Sequence, residues 1–92
     1  MLQVIVDAIH AQSTLRFLYK GVWREVEPHT YGRTPKGDDG LCAWQAVGGS
    51  GDGYRLFLLH EASALALGDS FDGPRPGYHR GDQRFVQIYA EL

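Results

Sequence analysis

Arginine is the residue type in this sequence best suited to holding an anion. The chain has seven arginines and two lysines. The planar guanidinium carries a fork of N–H donors that can bind a phosphate or a carboxylate through two hydrogen bonds. Single arginines most often lie on the solvated surface, so residue type alone does not select a site.

Aromatic side chains beside polar ones form the second group suited to ligand contact. The candidates for stacking against a planar ligand are Tyr19, Tyr31, Trp44 and Tyr54. Gln45 offers a donor and an acceptor for a base edge or a similar group. Aromatic side chains also dominate small cores, so packing is the competing interpretation for each of them.

The sequence has no spacing typical of a metal or catalytic centre. The four histidines are far apart along the chain, without an HxxxH or HExxH pattern. Ser50 lies in a glycine-rich stretch, but Asp52 stands where a nucleophile elbow requires glycine, and the Gly-Lys-Ser/Thr ending of a phosphate loop is missing. Glu25 and Glu27 share one strand face, which favours an exposed face lined by charge over an acid–base pair, with holding a nearby arginine as the alternative for Glu27. We predict a protein without enzymatic activity, metal or cofactor.

Length, charge and cysteine content limit the class of protein. A chain of 92 residues predicts one domain, residues 1–92. The formal net charge of −2 argues against binding nucleic acid through bulk charge. It does not exclude a local basic patch. The single cysteine, Cys42, excludes an intrachain disulfide, and the longest apolar runs are too short to span a membrane. These features predict a globular cytoplasmic protein with no membrane partner.

Periodicity predicts a helix and then strands in the N-terminal half. An apolar arc over residues 2–12 predicts an amphipathic helix, and its members are Leu2, Ile5, Val6 and Ile9. From Thr14 to Tyr19 the period is two, which predicts a strand that ends in a turn at Lys20-Gly21. Residues 23–33 predict a second strand, in which Pro28 indicates an edge position, a bulge or a bend.

The following residues predict an exposed loop over 34–40 and two pairing strands over 41–47 and 54–59. Alternation of small residues and leucine over 62–67 favours a fifth strand, with a helix as the alternative. Prolines and glycines over 71–82 predict an irregular surface segment.

Four apolar residues near the C-terminus predict a short closing helix. They recur at helical spacing after Asp82, a suitable N-cap, and they are Phe85, Ile88, Tyr89 and Leu92. All elements together predict a mainly β fold: a small SH3-like or Sm-like barrel of about five antiparallel strands. We expect the N-terminal helix to cover one opening of that barrel.

The order of several short motifs resembles the WYL domain family. The motifs lie within residues 8–67 and are Phe17-x-Tyr19, Arg24, Glu27-Pro28, Leu41-x-Ala43-Trp44 and Arg55-x-Phe57-x-Leu59. Asp39 and Gly40 stand where the family has its Trp and Tyr, and His60-Glu61 stands where it has Asp-Arg. The chain is most similar to short, free-standing members of the family.

This resemblance implies an SH3-like or Sm-like barrel that binds a regulatory ligand, often a nucleotide or nucleic acid, in bacterial transcription regulators. At the matched positions, it makes Arg24 and Arg55 the expected anion donors and Trp44 the expected stacking wall. A second rank of ligand-binding candidates flanks the matched motifs: His29, Tyr31 and Gln45. The leading hypothesis is a non-enzymatic module that senses a nucleotide-like or small anionic ligand and signals to a partner protein.

The alternative hypothesis is a structural or interaction module, such as a homodimer, without a small-molecule ligand. Its contact surface would be an exposed strand edge or the first helix. A charge at Ile5 or Ile9 would then break the assembly or the fold. Nucleic acid is a weaker candidate partner, because His60-Glu61 replaces the Asp-Arg pair of the family.

Overall fold

The computed structural model describes residues 2–48 and 51–92. Gly49 and Ser50, in the glycine-rich stretch, lie outside the described residues. The helix and strands in chain order are α1 Gln3–Ala11, β1 Ser13–Tyr19, β2 Val22–Arg33, β3 Asp39–Val47, β4 Gly53–Leu58, β5 Ala62–Ser70 and β6 Gln87–Glu91. A 3-10 turn at Leu59–Glu61 joins β4 to β5. The predicted mainly β class is confirmed, with six strands in the described ranges instead of about five.

All six strands belong to one antiparallel sheet with the order β4-β3-β2-β1-β5, and β6 also pairs with β2. The 12-residue β2 pairs with β3 along one edge. Its other edge carries β1 up to Val26 and β6 from Thr30 onward. Strand β2 is therefore the centre of the fold.

Pro28 marks an irregularity in this central strand. It stands between the β1 and β6 pairings, and the β2–β3 register shifts between Pro28 and Thr30. The bulge is one of the outcomes that proline predicted. Because of this shift, Val26 and Tyr31 both belong to the main core although their separation is odd.

The β1–β2 hairpin turns through the predicted pair Lys20-Gly21. Both residues have positive φ, 52° and 77°. Two central residues with positive φ are typical of the tight turn that matches the twist of antiparallel strands, and glycine adopts this conformation without strain. The predicted loop over 34–40 is shorter than expected, because Asp39 and Gly40 already pair with the end of β2.

Helix α1 covers one face of the sheet and contacts β1, β2, β5 and β6. Ile5 and Ile9 are 0% and 2% exposed, and Val6 and Ala8 are buried with them. Leu2 precedes the helix and is 41% exposed, so its predicted place in the apolar arc is wrong and Ala8 completes the arc instead. The core cluster consists of Ile5, Val6, Ala8, Ile9, Leu15, Phe17, Tyr19, Val26, Tyr31, Leu41, Ala43, Phe57 and Ala90.

The predicted C-terminal helix is wrong, because residues 87–91 form strand β6. The second half of β2 has backbone groups that β1 does not reach, and β6 satisfies them in an antiparallel pairing. Gly32 allows the close approach, since a Cβ there would collide with the Gln87 carbonyl oxygen. Asp82, the expected N-cap, binds Arg84 instead.

Residues 62–70 form β5, which confirms the fifth strand and excludes the helical alternative. Strands β4 and β5 stand at opposite ends of the strand order, yet only three residues join them. Tyr19 of β1 links both sides of this connection: its hydroxyl accepts a hydrogen bond from the Leu58 N–H and donates to Glu61 Oε2, both at 3.1 Å. The sheet is therefore strongly curved.

Candidate functional site

Arg24 lies at the rim of the core, on the sheet face that also carries Phe17 and Phe57. Its guanidinium stands over the rings of Tyr19 and Phe57, at 5.5 and 6.0 Å from their centroids. Nη1 donates to Gln45 Oε1 at 2.8 Å, and Nη2 donates to the Tyr19 carbonyl oxygen at 3.4 Å. The aromatic rings and the two acceptors fix the orientation of the guanidinium.

Gln45 connects Arg24 to the loop between β3 and β4. Its side chain is fully buried, and Nε2 donates to the carbonyl oxygens of Gly48 and Gly51 at 2.8 and 2.9 Å. Arg55 also donates to the Gly51 carbonyl, from Nη2 at 3.1 Å, and to the Tyr54 carbonyl, from Nη1 at 3.0 Å. The structure thus brings Arg24, Gln45 and Arg55 together around one loop.

Arg24 is partly buried without a carboxylate partner in residues 2–48 and 51–92. Its Nε is buried and has no hydrogen-bond partner in the same ranges. By contrast, Arg75, Arg80 and Arg84 are more exposed and each has a carboxylate partner. A partly buried cation with donor capacity left over favours binding of an anion.

Trp44 does not join the Arg24 cluster. It pairs with Glu27 and Tyr54 on the neighbouring strands, and these residues lie on the opposite face of the sheet from Gln45. The Tyr54 ring meets Trp44 edge-on at 5.1 Å, and the Arg75 guanidinium stands 5.0 Å from the Trp44 ring centroid. The expected stacking wall for an anion held by Arg24 is therefore on the other side.

His29 also lies on this second face, where it is 0% exposed. Nδ1 is 2.7 Å from the Glu27 carbonyl oxygen, and Nε2 accepts the Arg75 backbone N–H at 3.0 Å. This pair of contacts requires neutral His29 with its proton on Nδ1. Burial accordingly lowers the pKa of His29.

Tyr31 lies in the main core and is 0% exposed. Its hydroxyl accepts the Leu2 backbone N–H at 2.8 Å just before α1, and its ring meets Tyr89 edge-on at 5.0 Å. Burial raises the pKa of the Tyr31 hydroxyl. The Tyr31 hydroxyl thus holds the start of the helix, and the Tyr31 ring packs against β6.

Residues 71–86 form an irregular segment, here called the strap, that runs over the second face of the sheet. Sequence reasoning missed its central contact, the bidentate ion pair of Arg75 with Glu27: Nε donates to Oε1 at 2.8 Å and Nη2 to Oε2 at 2.9 Å. The expected exposed face lined by charge is wrong at Glu27, which is 8% exposed, and the alternative, that Glu27 holds a nearby arginine, is confirmed. The signal for Arg75 was its position between two prolines, in a segment predicted only to be irregular.

A cleft of about 560 Å³ opens between the strap and strands β3 and β4. At its base, Arg84 Nη2 donates to Cys42 Sγ at 2.8 Å and to Asp82 Oδ2 at 2.7 Å. Burial raises the pKa of the Cys42 thiol, while the hydrogen bond from Arg84 lowers the pKa of Asp82. The thiolate, which is the nucleophilic form, is therefore disfavoured at neutral pH.

Metal-ligating side chains do not converge in the part of the chain that the structure describes, where no three His, Cys, Asp or Glu residues could hold one ion. Within those same residues, no helix is long and apolar enough to cross a membrane.

Searches against protein-family models, curated proteins and solved structures give no match. The WYL resemblance therefore depends on the sequence motifs alone.

Proposed function

We propose that this chain is a non-enzymatic, WYL-like binding module that holds a nucleotide-like or other small anionic ligand through Arg24. In this proposal, the ligand-bound module signals to a partner protein in transcription regulation. The observation that carries it is the Arg24 guanidinium, partly buried and without a carboxylate partner in the described ranges.

Phosphate or carboxylate is the ligand chemistry that fits this guanidinium. Nη1 and Nη2 already donate to Gln45 and Tyr19, but each terminal nitrogen has a second N–H. A second arginine, Arg55, adds positive charge and donates to the Gly51 carbonyl, which Gln45 also contacts. A phosphate or carboxylate that accepts through one or two of its oxygens would compensate the partly buried charge of Arg24.

The connections of the sheet support the expected SH3-like or Sm-like barrel. The first four strands pair in chain order, β5 returns to pair with β1, and a 3-10 turn precedes β5. Helix α1 packs on the concave core in front of β1. The motifs of the WYL resemblance lie on strands β1 to β4 of this sheet, with Leu59 directly after β4.

The test is the thermal stability of the purified protein with inorganic phosphate, pyrophosphate, nucleoside mono- and diphosphates and short single-stranded oligonucleotides. A ligand at about 100 times its Kd adds about 2.7 kcal/mol to the stability of the native state. We expect stabilisation by at least one phosphate compound and its loss in Arg24→Gln. The compound that stabilises most identifies whether the ligand is a free phosphate, a nucleotide or an oligonucleotide.

Arg16→Gln is the matched control, because Arg16 is exposed and stands over the Trp23 ring at 4.7 Å on the other sheet face. It removes the same charge and should retain the ligand response. Stabilisation that survives in Arg24→Gln, or that is lost equally in Arg16→Gln, would refute the Arg24 site.

The second candidate function is an interaction module, and the open edge of β5 favours it. Within residues 2–48 and 51–92 this nine-residue strand pairs with β1 alone, and Leu67 in it is 54% exposed. Free N–H and C=O groups along such an edge can pair with another strand. If β5 joins two copies, Leu67→Lys should shift a dimer to monomer in light scattering, whereas Ser70→Lys at the strand end should not. A monomeric wild-type protein at all concentrations would exclude this function as a homodimer.

A further inference from the structure

Glu27 and Trp44 form a binding site for a guanidinium on the strap-covered face of the sheet. Glu27 is 8% exposed, and both of its carboxylate oxygens accept from Arg75. The Trp44 ring faces the same guanidinium at 5.0 Å. A carboxylate fork beside an aromatic face is the arrangement that arginine fits and lysine does not.

The backbone on both sides of the guanidinium is recognised as well. The Arg75 N–H donates to His29 Nε2 at 3.0 Å, and the Tyr54 hydroxyl is 2.8 and 3.1 Å from the carbonyl oxygens of Arg75 and Pro76. Together with the Glu27 pair, these contacts bind the side chain, the N–H and the carbonyl of one residue, Arg75. The Arg75 carbonyl also accepts the Tyr78 N–H at 3.3 Å, so the bound residue opens a turn through Pro76 and Gly77.

The two sides of this interface differ in how they are held. Glu27, His29, Trp44 and Tyr54 lie on paired strands, and His29 is also fixed by the Glu27 carbonyl. Residues 74–77 of the strap are exposed and have no regular structure. The sheet side is therefore a preformed receptor, and the strap side is a short occupant.

The occupant has the sequence Gly73-Pro74-Arg75-Pro76-Gly77. Each proline fixes its own φ and biases the residue before it toward extended backbone, so the segment loses little conformational entropy on docking. Pro76 and Gly77 suit the two central positions of the turn that follows Arg75, since Gly77 has a positive φ of 89°, so the sequence presents the guanidinium at the start of a preformed turn.

We infer that Glu27, His29, Trp44 and Tyr54 form a recognition site for an arginine–proline peptide, which the chain's own strap fills in this structure and which a partner's peptide can occupy in exchange. This site lies on the opposite sheet face from Arg24, so it stands or falls independently of the anion proposal. Because the strap is tethered, it competes at high effective concentration, and opening it raises the apparent affinity for an external peptide.

The test measures binding of a fluorescein-labelled peptide with the sequence of residues 73–78, Gly-Pro-Arg-Pro-Gly-Tyr, by fluorescence anisotropy. The receptor is the full chain carrying Arg75→Ala, which leaves the site without its own guanidinium. We expect saturable binding that is weaker by about tenfold or more when the peptide arginine is replaced by alanine. Wild-type protein should bind the same peptide more weakly than Arg75→Ala.

Two further variants in the Arg75→Ala background assign the binding to this site. Glu27→Gln should abolish it, while Glu25→Gln, on the same strand and outside the strap contacts, should retain it. If Arg75→Ala does not fold, Arg75→Lys replaces it, because lysine keeps the charge and loses the bidentate fork. A folded variant that shows no saturable binding, or that binds the alanine peptide equally well, would overturn the inference.

Discussion

At the scale of single residues, the buried side-chain atoms without a hydrogen-bond partner in residues 2–48 and 51–92 are Thr14 Oγ1, Thr30 Oγ1 and Arg24 Nε, and Arg24 is the charged residue among them. Gln45 and His29 each use both ends of their side chains on described partners, and the Tyr31 hydroxyl accepts the Leu2 N–H. Arg24 retains a buried Nε without a partner in residues 2–48 and 51–92. Incomplete pairing distinguishes Arg24 from the other candidates.

His29 makes the stability of the protein dependent on pH. Its folded-state pKa lies below its ordinary value of about 6.5, chiefly because of burial. The unfolded chain therefore binds more protons as pH falls below that value, and the free energy of unfolding decreases by at most about 1.4 kcal/mol per pH unit for one proton. Titratable and charged groups near His29 are Glu27, Arg75, Tyr54 and Tyr78.

We expect urea unfolding to show lower stability at pH 5 than at pH 7. Protonated His29 can no longer accept the Arg75 N–H, so the loss should accompany weakening of the strap. His29→Gln should flatten the dependence in this range, and His79→Gln should not, because His79 is exposed on the strap. A wild-type stability that does not change between pH 5 and 7 would contradict the assigned hydrogen bonds.

The candidate residues could be selected from the sequence, but their grouping could not. Arg24, Gln45 and Arg55 come together because β2, β3 and β4 pair in the expected order. Trp44, adjacent to Gln45 in sequence, points to the other face, which strand alternation requires. The Arg75–Glu27 pair depends on how an irregular segment returns to the sheet, and local sequence patterns contain no information on that path.

At the scale of elements, tertiary pairing decided between similar local patterns. The spacing of Phe85, Ile88, Tyr89 and Leu92 fits a helix, yet the unpaired second half of β2 selects a strand there. The predicted arc of α1, Leu2, Ile5, Val6 and Ile9, has the same i, i+3, i+4, i+7 spacing, so periodicity alone did not separate the two segments. The free edge of β2, which only the folded sheet supplies, made the difference.

The position of α1 separates fold from assembly. Ile9 is 2% exposed within the core cluster, so the apolar face of the helix is covered by the sheet. We expect Ile9→Asp to destabilise the fold by more than about 3 kcal/mol, because it removes packing and buries a carboxylate. His10→Asp, one residue on at an exposed position, should change stability little. Circular dichroism and urea unfolding measure both; a folded Ile9→Asp would contradict the packing of α1.

At the scale of the whole molecule, one curved sheet presents two different faces. The concave face carries the core, α1 and, at its rim, Arg24. The other face carries polar and aromatic side chains under the strap, with the Glu27–Arg75 pair at its centre. The proposed anion belongs to the first face and the proposed arginine–proline peptide to the second, so each face can be tested without changing the other.

The measurement that tests the Arg24 proposal most directly is a calorimetric titration of the protein with pyrophosphate at low and at physiological ionic strength. We expect saturable binding that weakens with salt, is lost in Arg24→Gln and remains in Arg16→Gln. Pyrophosphate that binds wild type and Arg24→Gln equally, or does not bind wild type at either ionic strength, would contradict it.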